Sequence, residues 1–156
     1  MPFLGAMEKI RQLAYLSAAR RPFSLGSLTE LLCSARERNH AQGLSGVLLY
    51  AEGSFLQVLE GPASAVRSTF SSIERDRRHY RLLQVFDDDV AMRSFGDWSM
   101  GFVDGRDPRL VKLVGFNDVL QKGWSHSSLA LSSQAQSLVH QFRDGRWRQA
   151  DLPVAV

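Results

Sequence analysis

Two primary amides stand where apolar side chains are expected. Gln57 falls between Phe55 and Leu59 on one face of an apolar run, a setting in which an amide needs partners or costs free energy. Asn39 follows Ala35 and Leu32 on the inward stripe of a helical pattern, where an unpartnered amide costs about 1–3 kcal/mol. Tyr15 shares a face with Leu13 in the first apolar run, and Trp98 alternates with Met100 in a later one. Each has a purely structural reading: Gln57 bonded to backbone or water, Asn39 as a helix C-terminal cap near Gly43, Tyr15 and the Trp98–Met100 pair as packing, Arg78 as a complement to a helix dipole. Taken together they place an oxidisable phenol, two amides, an indole and a thioether on the inner side of one small sheet. An amide presents a donor and an acceptor, so the set suits a planar ligand with both kinds of edge. Hydrolysis or phosphoryl transfer would call for carboxylates or a positioned base.

Other chemistries lack their residues. The histidines at 40, 79, 126 and 140 are dispersed and Cys33 is alone, which leaves no metal-ligand set and no disulfide framework. The chain has neither a Gly-rich phosphate loop nor a Gly-x-Ser-x-Gly elbow.

The elements that must carry these residues follow in order. Lys9 to Ser17 reads as a strand ending before Arg20-Arg21-Pro22. Ser27 to Glu30 forms a Ser-x-x-Glu capping box that opens a helix with Leu28, Leu31, Leu32 and Ala35 at helical spacing, stopped by Gly43. Gly46–Tyr50 and Ser54–Glu60, joined through Ala51-Glu-Gly53, read as a β-hairpin. Gly61-Pro62 starts a second helix with Val66, Phe70 and Ile73 inward, fading near Arg78-His79. A fourth strand is expected around Leu82–Phe86 and a fifth around Trp98–Val103. This order predicts an α+β, ferredoxin-like βαββαβ sheet with an additional fifth strand and two helices on one face. Both faces of Phe55–Leu59 are apolar, so the second face should be covered too. The tail offers the cover: amphipathic patterns run over Leu110–Leu120 and Leu131–Phe142, separated by Gly123-Trp-Ser125. The expected division is residues 8–105 as one unit and 106–156 as a helical extension that packs on the sheet or forms a subunit interface, so a homodimer or higher homo-oligomer is expected.

Composition agrees with a globular domain. The 156 residues are 44% hydrophobic and 22% charged, which argues against disorder, collagen and a simple coiled coil. No apolar run reaches the roughly 18 residues that span a bilayer, and the first seven residues carry no signal-peptide pattern, so a cytoplasmic protein is expected. The net charge of +3 comes almost entirely from arginine. The basic residues are not concentrated in one tract, and the Arg75–Arg81 cluster is followed closely by Asp87–Asp89, which makes nucleic acid an unfavoured partner.

The segments Ala35-Arg-Glu-Arg-Asn39, Gly43-Leu-Ser-Gly-Val-Leu-Leu-Tyr50 and Gly53-Ser-Phe-Leu-Gln-Val-Leu-Glu-Gly61 resemble the BLUF domains, sensors of blue light using FAD. Ile73-Glu-Arg-Asp-Arg-Arg-His79 and Phe95-x-x-Trp98-x-Met100 extend the resemblance over about residues 8 to 104. The short tail resembles the stand-alone members, which carry no fused enzyme.

The resemblance implies a photoreceptor that turns nothing over. Its cofactor would be FAD, with FMN or riboflavin as alternatives, and its output would pass through an unidentified downstream protein. Tyr15 matches the photoactive tyrosine and Gln57 the switching glutamine. The implied chemistry is light-driven electron and proton transfer from Tyr15 to the flavin, after which Gln57 makes a changed hydrogen bond to the ring. Asn39 matches the asparagine at the flavin's O4/N3 edge. Arg38 occupies a variable position that can contact the O2 side. Arg78 matches a basic residue near the ribityl phosphate, and Asp76 belongs to the same motif. Trp98 and Met100 match the strand-five pair that can exchange position beside the glutamine. The competing readings are a light-independent flavoprotein oxidoreductase, for which no dinucleotide fingerprint is visible, and an RRM-like RNA binder, which would want exposed aromatics on an open sheet face.

Overall fold

The computed structural model describes residues 9–96, the backbone of 101–103, and residues 134–151. Five strands form one sheet: β1 (Ile10–Ala19), β2 (Ser45–Ala51), β3 (Ser54–Gly61), β4 (His79–Val90) and β5 (Gly101–Val103), in the order β4-β1-β3-β2-β5. Helix α1 (Leu25–Gln42) links β1 to β2, and α2 (Ala63–Glu74) links β3 to β4. The first four strands pair antiparallel, as in the expected split βαβ plan, while β5 pairs parallel with β2 through Val47↔Gly101 to Leu49↔Val103. Trp98, Met100 and the Leu110–Leu120 pattern lie outside the described residues.

Strand alternation splits the core into two layers. On one face Leu13, Tyr15, Leu48, Phe55 and Leu59 meet Leu28, Leu32 and Ala35 of α1 and Val66 and Phe70 of α2. On the other, Ala14, Leu16, Val47, Leu49, Leu56 and Val58 meet Ala135, Leu138, Val139 and Phe142 of α3 (Gln134–Arg143). Both faces of β3 are therefore buried in full. The chain then turns back, and Ala150 N donates to Ser54 Oγ at 3.1 Å, holding a short 3-10 turn (Gln149–Asp151) against the β2–β3 hairpin.

Four local expectations shift. The cap of α1 is Ser24, not Ser27: Ser24 Oγ accepts from Ser27 N at 3.1 Å, so Ser27 is the third helical residue whose orphan N–H the cap satisfies. Gly43, at φ 71°, closes the helix, and Leu44 N donates to the Asn39 carbonyl at 2.8 Å. The asparagine side chain is thus not the cap, and it lies buried within the helix. Helix α2 ends at Glu74, so Arg78 sits past the helix terminus, beyond the last turn in which a dipole acts. The hairpin is tighter than its three-residue link suggested. Ala51 pairs with Ser54, leaving Glu52 (φ 49°) and Gly53 (φ 80°) as a two-residue turn with both residues left-handed.

Candidate functional site

The two helices do not close over the sheet. Between α1, α2 and the middle of β1 and β3 runs a partly open cleft with about 90 Å³ of free space. Leu31, Ala35, Leu48, Phe55 and Ile73 give it apolar walls. Tyr15, Gln57, Asn39, Arg38, Arg78 and Asp76 all line it. The fold thus gathers six positions spread from residue 15 to residue 78 around one space.

Its floor is a cross-strand pair. Tyr15 on β1 sits directly opposite Gln57 on β3, and the Tyr15 hydroxyl donates to Gln57 Oε1. Both side chains are buried, at 4% and 6% exposure. Burial pushes the Tyr15 phenol well above its ordinary value of 10.0; the Asp76 charge adds to the shift and Arg78 opposes it. The phenol is therefore held as a neutral donor whose proton has one defined acceptor, an amide.

Asn39 forms the wall facing that floor. It is 2% exposed and lies four residues beyond buried Ala35, so the helical repeat brings it to the inner face. Arg38, one residue earlier, is exposed at the rim and its Nε donates to the Ser34 carbonyl at 3.3 Å. At the other rim Arg78 grips Asp76: Nε lies 3.0 and 3.1 Å from the two carboxylate oxygens and Nη2 2.5 Å from Oδ2. Asp76 Oδ1 also accepts from Arg78 N at 3.0 Å, which makes this loop a self-contained turn. The hydrogen bond from the guanidinium holds the Asp76 carboxyl below its ordinary range and raises Arg78 in return.

His79 belongs to the site, although its sequence context shows only a basic run. Its Nε2 lies 2.7 Å from the Ile73 carbonyl, an acceptor, so Nε2 carries hydrogen; Nδ1 lies 2.8 Å from Ser17 Oγ. The ring, fixed at both nitrogens, meets Tyr15 edge-on at 6.1 Å, and Phe70 closes the other side at 5.6 Å. The tyrosine ring is thus clamped between α2 and the start of β4. The sequence pattern gives no signal for it, because it puts His79 at the fading end of the second helix, whereas β4 already begins there and pairs His79 with Ala19 of β1.

A planar heterocycle with donor and acceptor edges fits this donor set, because two buried amides approach a slot with apolar walls. The family model described as "Sensors of blue-light using FAD" matches residues 10–101. The chain belongs to the BLUF family. Over 135 residues it is 30% identical to photoactivated adenylate cyclase subunit alpha of Euglena gracilis, covering 86% of this chain and 13% of that protein. It is also 30% identical to the blue light- and temperature-regulated antirepressor BluF of Escherichia coli (strain K12), covering 83% of this chain and 32% of that one. The BLUF chain described here thus spans about an eighth and a third of those relatives. Among solved structures, BlsA in its ground state superposes with a TM-score of 0.62 at 26% identity, over 92% of this chain and 94% of that one.

Proposed function

We propose that this BLUF chain is a blue-light photoreceptor that binds a flavin in the α1–α2 cleft and signals through a partner protein without catalysing a reaction. The observation that carries the reading is the buried hydrogen bond from Tyr15 to Gln57 on the cleft floor. When bound, the flavin supplies blue-light absorption and an excited state able to oxidise a nearby phenol. Asn39 and Gln57 would hold its polar edge, Arg38 its open side, and Arg78, steadied by Asp76, its phosphate-bearing tail. FAD is the expected form, with FMN and riboflavin as alternatives that share the ring.

The residues of this chain do the switching. With a flavin bound, Tyr15 would yield an electron to the ring and, along its hydrogen bond, a proton to Gln57 Oε1, while the amide nitrogen would release one of its own protons towards the ring. Both return to the phenol, and Gln57 is left turned over or tautomerised, with donor and acceptor ends exchanged. One exchanged hydrogen bond is worth roughly 0.5–1.5 kcal/mol, so it biases a partner equilibrium by about ten-fold at most. Output therefore calls for an adjacent bistable element. Trp98, Met100 and β5 are the proposed element, with residues 106–156 as an extension of the 8–105 sensory unit that meets the sheet, a second subunit or the partner.

The deciding experiment is the visible spectrum of the purified protein before and after blue light. A flavin spectrum that moves slightly to the red and recovers in darkness is expected. Protein that stays colourless after incubation with FAD, or a flavin spectrum indifferent to light, overturns the reading.

A further inference from the structure

Glu60 is the third residue after Gln57 on β3, points to the opposite face and is fully buried. Its carboxylate is saturated. Oε1 accepts from Ser45 Oγ at 3.0 Å and Phe95 N at 2.6 Å, and Oε2 accepts from Gln12 Nε2 and Ser94 N, both at 2.9 Å. Gln12 and Ser45 are its cross-strand neighbours on β1 and β2; Ser94 and Phe95 come from the connection that leaves β4. Arg93 completes the arrangement, with Nη1 donating to Ser45 Oγ at 2.7 Å and to the Glu60 carbonyl at 3.2 Å, and Nη2 donating to the Gly43 carbonyl at 2.8 Å. Ser45 accepts from Arg93 and so has its own hydrogen to give to Glu60.

Packing alone does not need this. Phe95 is buried among Ala14, Val47 and Val58, and an apolar residue at position 60 would fill the space without a charge to satisfy. What the carboxylate adds is direction: two consecutive backbone N–H groups are held at one point on the strand that carries Gln57. Two residues further along β2, Val47 pairs with Gly101. Between these two fixed points the chain has only residues 96–100, which include Trp98 and Met100.

We infer that Glu60 is a positioning residue of the photoreceptor proposed above: it anchors the Arg93–Phe95 segment to β3, the strand that carries Gln57, and so ties the connection leaving β4 to the strand on which the switch occurs. Glu60→Gln keeps the shape but turns one acceptor oxygen into an NH2 group facing backbone N–H donors, which repels part of the segment.

Two measurements on the full chain test this. In darkness, trypsin should cut after Arg93 about ten-fold faster in Glu60→Gln than in the parent protein, because cleavage follows the population of the opened segment. After blue light, flavin content and the size of the red shift should be unchanged, while dark recovery changes by about three-fold or more. Ser45→Ala, which removes the hydroxyl joining Arg93 to Glu60, should shift both in the same direction by less, and it decides the matter if Glu60→Gln does not fold. Cleavage at the parent rate overturns the anchor. Faster cleavage with unaltered recovery reduces Glu60 to a structural residue and overturns its link to the photocycle. A parent protein without any red shift sinks the photoreceptor reading instead, and the proteolysis in darkness still reports on the anchor.

Discussion

Tyr15 and Gln57 face each other across the β1–β3 ladder, and the phenol donates to the amide oxygen. The pairing is set by register: a slip of one residue would send Tyr15 to the α3 face. The antiparallel run from Arg11↔Gly61 to Ala18↔Ser54 holds that register.

Removing either member should abolish the red shift and leave the flavin bound. Tyr15→Phe keeps the ring between Phe70 and His79 and deletes only the reductant's hydroxyl; it should cost about 1 kcal/mol of stability. Gln57→Leu removes the amide oxygen that accepts the Tyr15 hydroxyl's hydrogen bond. Difference spectra before and after illumination, with the flavin-to-protein ratio from the same samples, check both. A normal photocycle in one variant overturns the role given to that residue.

Asn39→Ala should weaken flavin retention more than any single apolar change in the cleft. The variant loses a buried amide from the wall facing Gln57, and the ligand edge it met would be left unsatisfied. That is a loss of about 1–2 kcal/mol, or roughly ten-fold in dissociation constant. Flavin fluorescence released on dilution measures it, and retention equal to the parent protein would return Asn39 to a structural role.

Much of this site was legible because polarity stood out against periodicity. Gln57 on an apolar face and Asn39 on an inward helical stripe both proved to line one cleft, and the two apolar faces of β3 anticipated a second layer. What was hidden depends on long-range contacts. His79 reads as one more basic residue until β4 pairs with β1 and brings it to Ser17. Glu60 reads as a polar strand end until the chain returns at Ser94 and Phe95. Ser27-x-x-Glu30 matches the capping box while Ser24 has no Glu or Gln three residues on, so only the hydrogen bond from Ser27 N to Ser24 Oγ reveals the true cap.

The α3 layer should support stability and leave photochemistry alone. Phe142 is 1% exposed on the second face, with Arg148 stacked 4.8 Å from its ring. Phe142→Ala should lower stability by about 3–5 kcal/mol, while a protein that still folds keeps its red shift, since among the described residues none from α3 lines the cleft. Thermal unfolding beside the light-difference spectrum separates the two effects. The same covered face weighs against an RNA-binding sheet surface, because its apolar residues are already packed.

The raised phenol of Tyr15 sets a direction for alkaline stability. Below the ordinary tyrosine value of 10.0, folded and unfolded chains both hold the proton and the group contributes no pH dependence. Above it the unfolded chain loses the proton while the folded chain retains it, so the unfolded state binds fewer protons and stability falls as pH rises. The fall continues until the folded value is reached. Tyr15→Phe removes this one titration and leaves Tyr50 and Tyr80 in place. The stability gap between the parent protein and Tyr15→Phe should therefore be constant from pH 7 to 9 and move in favour of the variant by roughly 1.4 kcal/mol per pH unit above about 10. Chemical denaturation at stepped pH measures that gap, and a constant difference through pH 11 would mean that the phenol ionises in the folded protein as readily as in water.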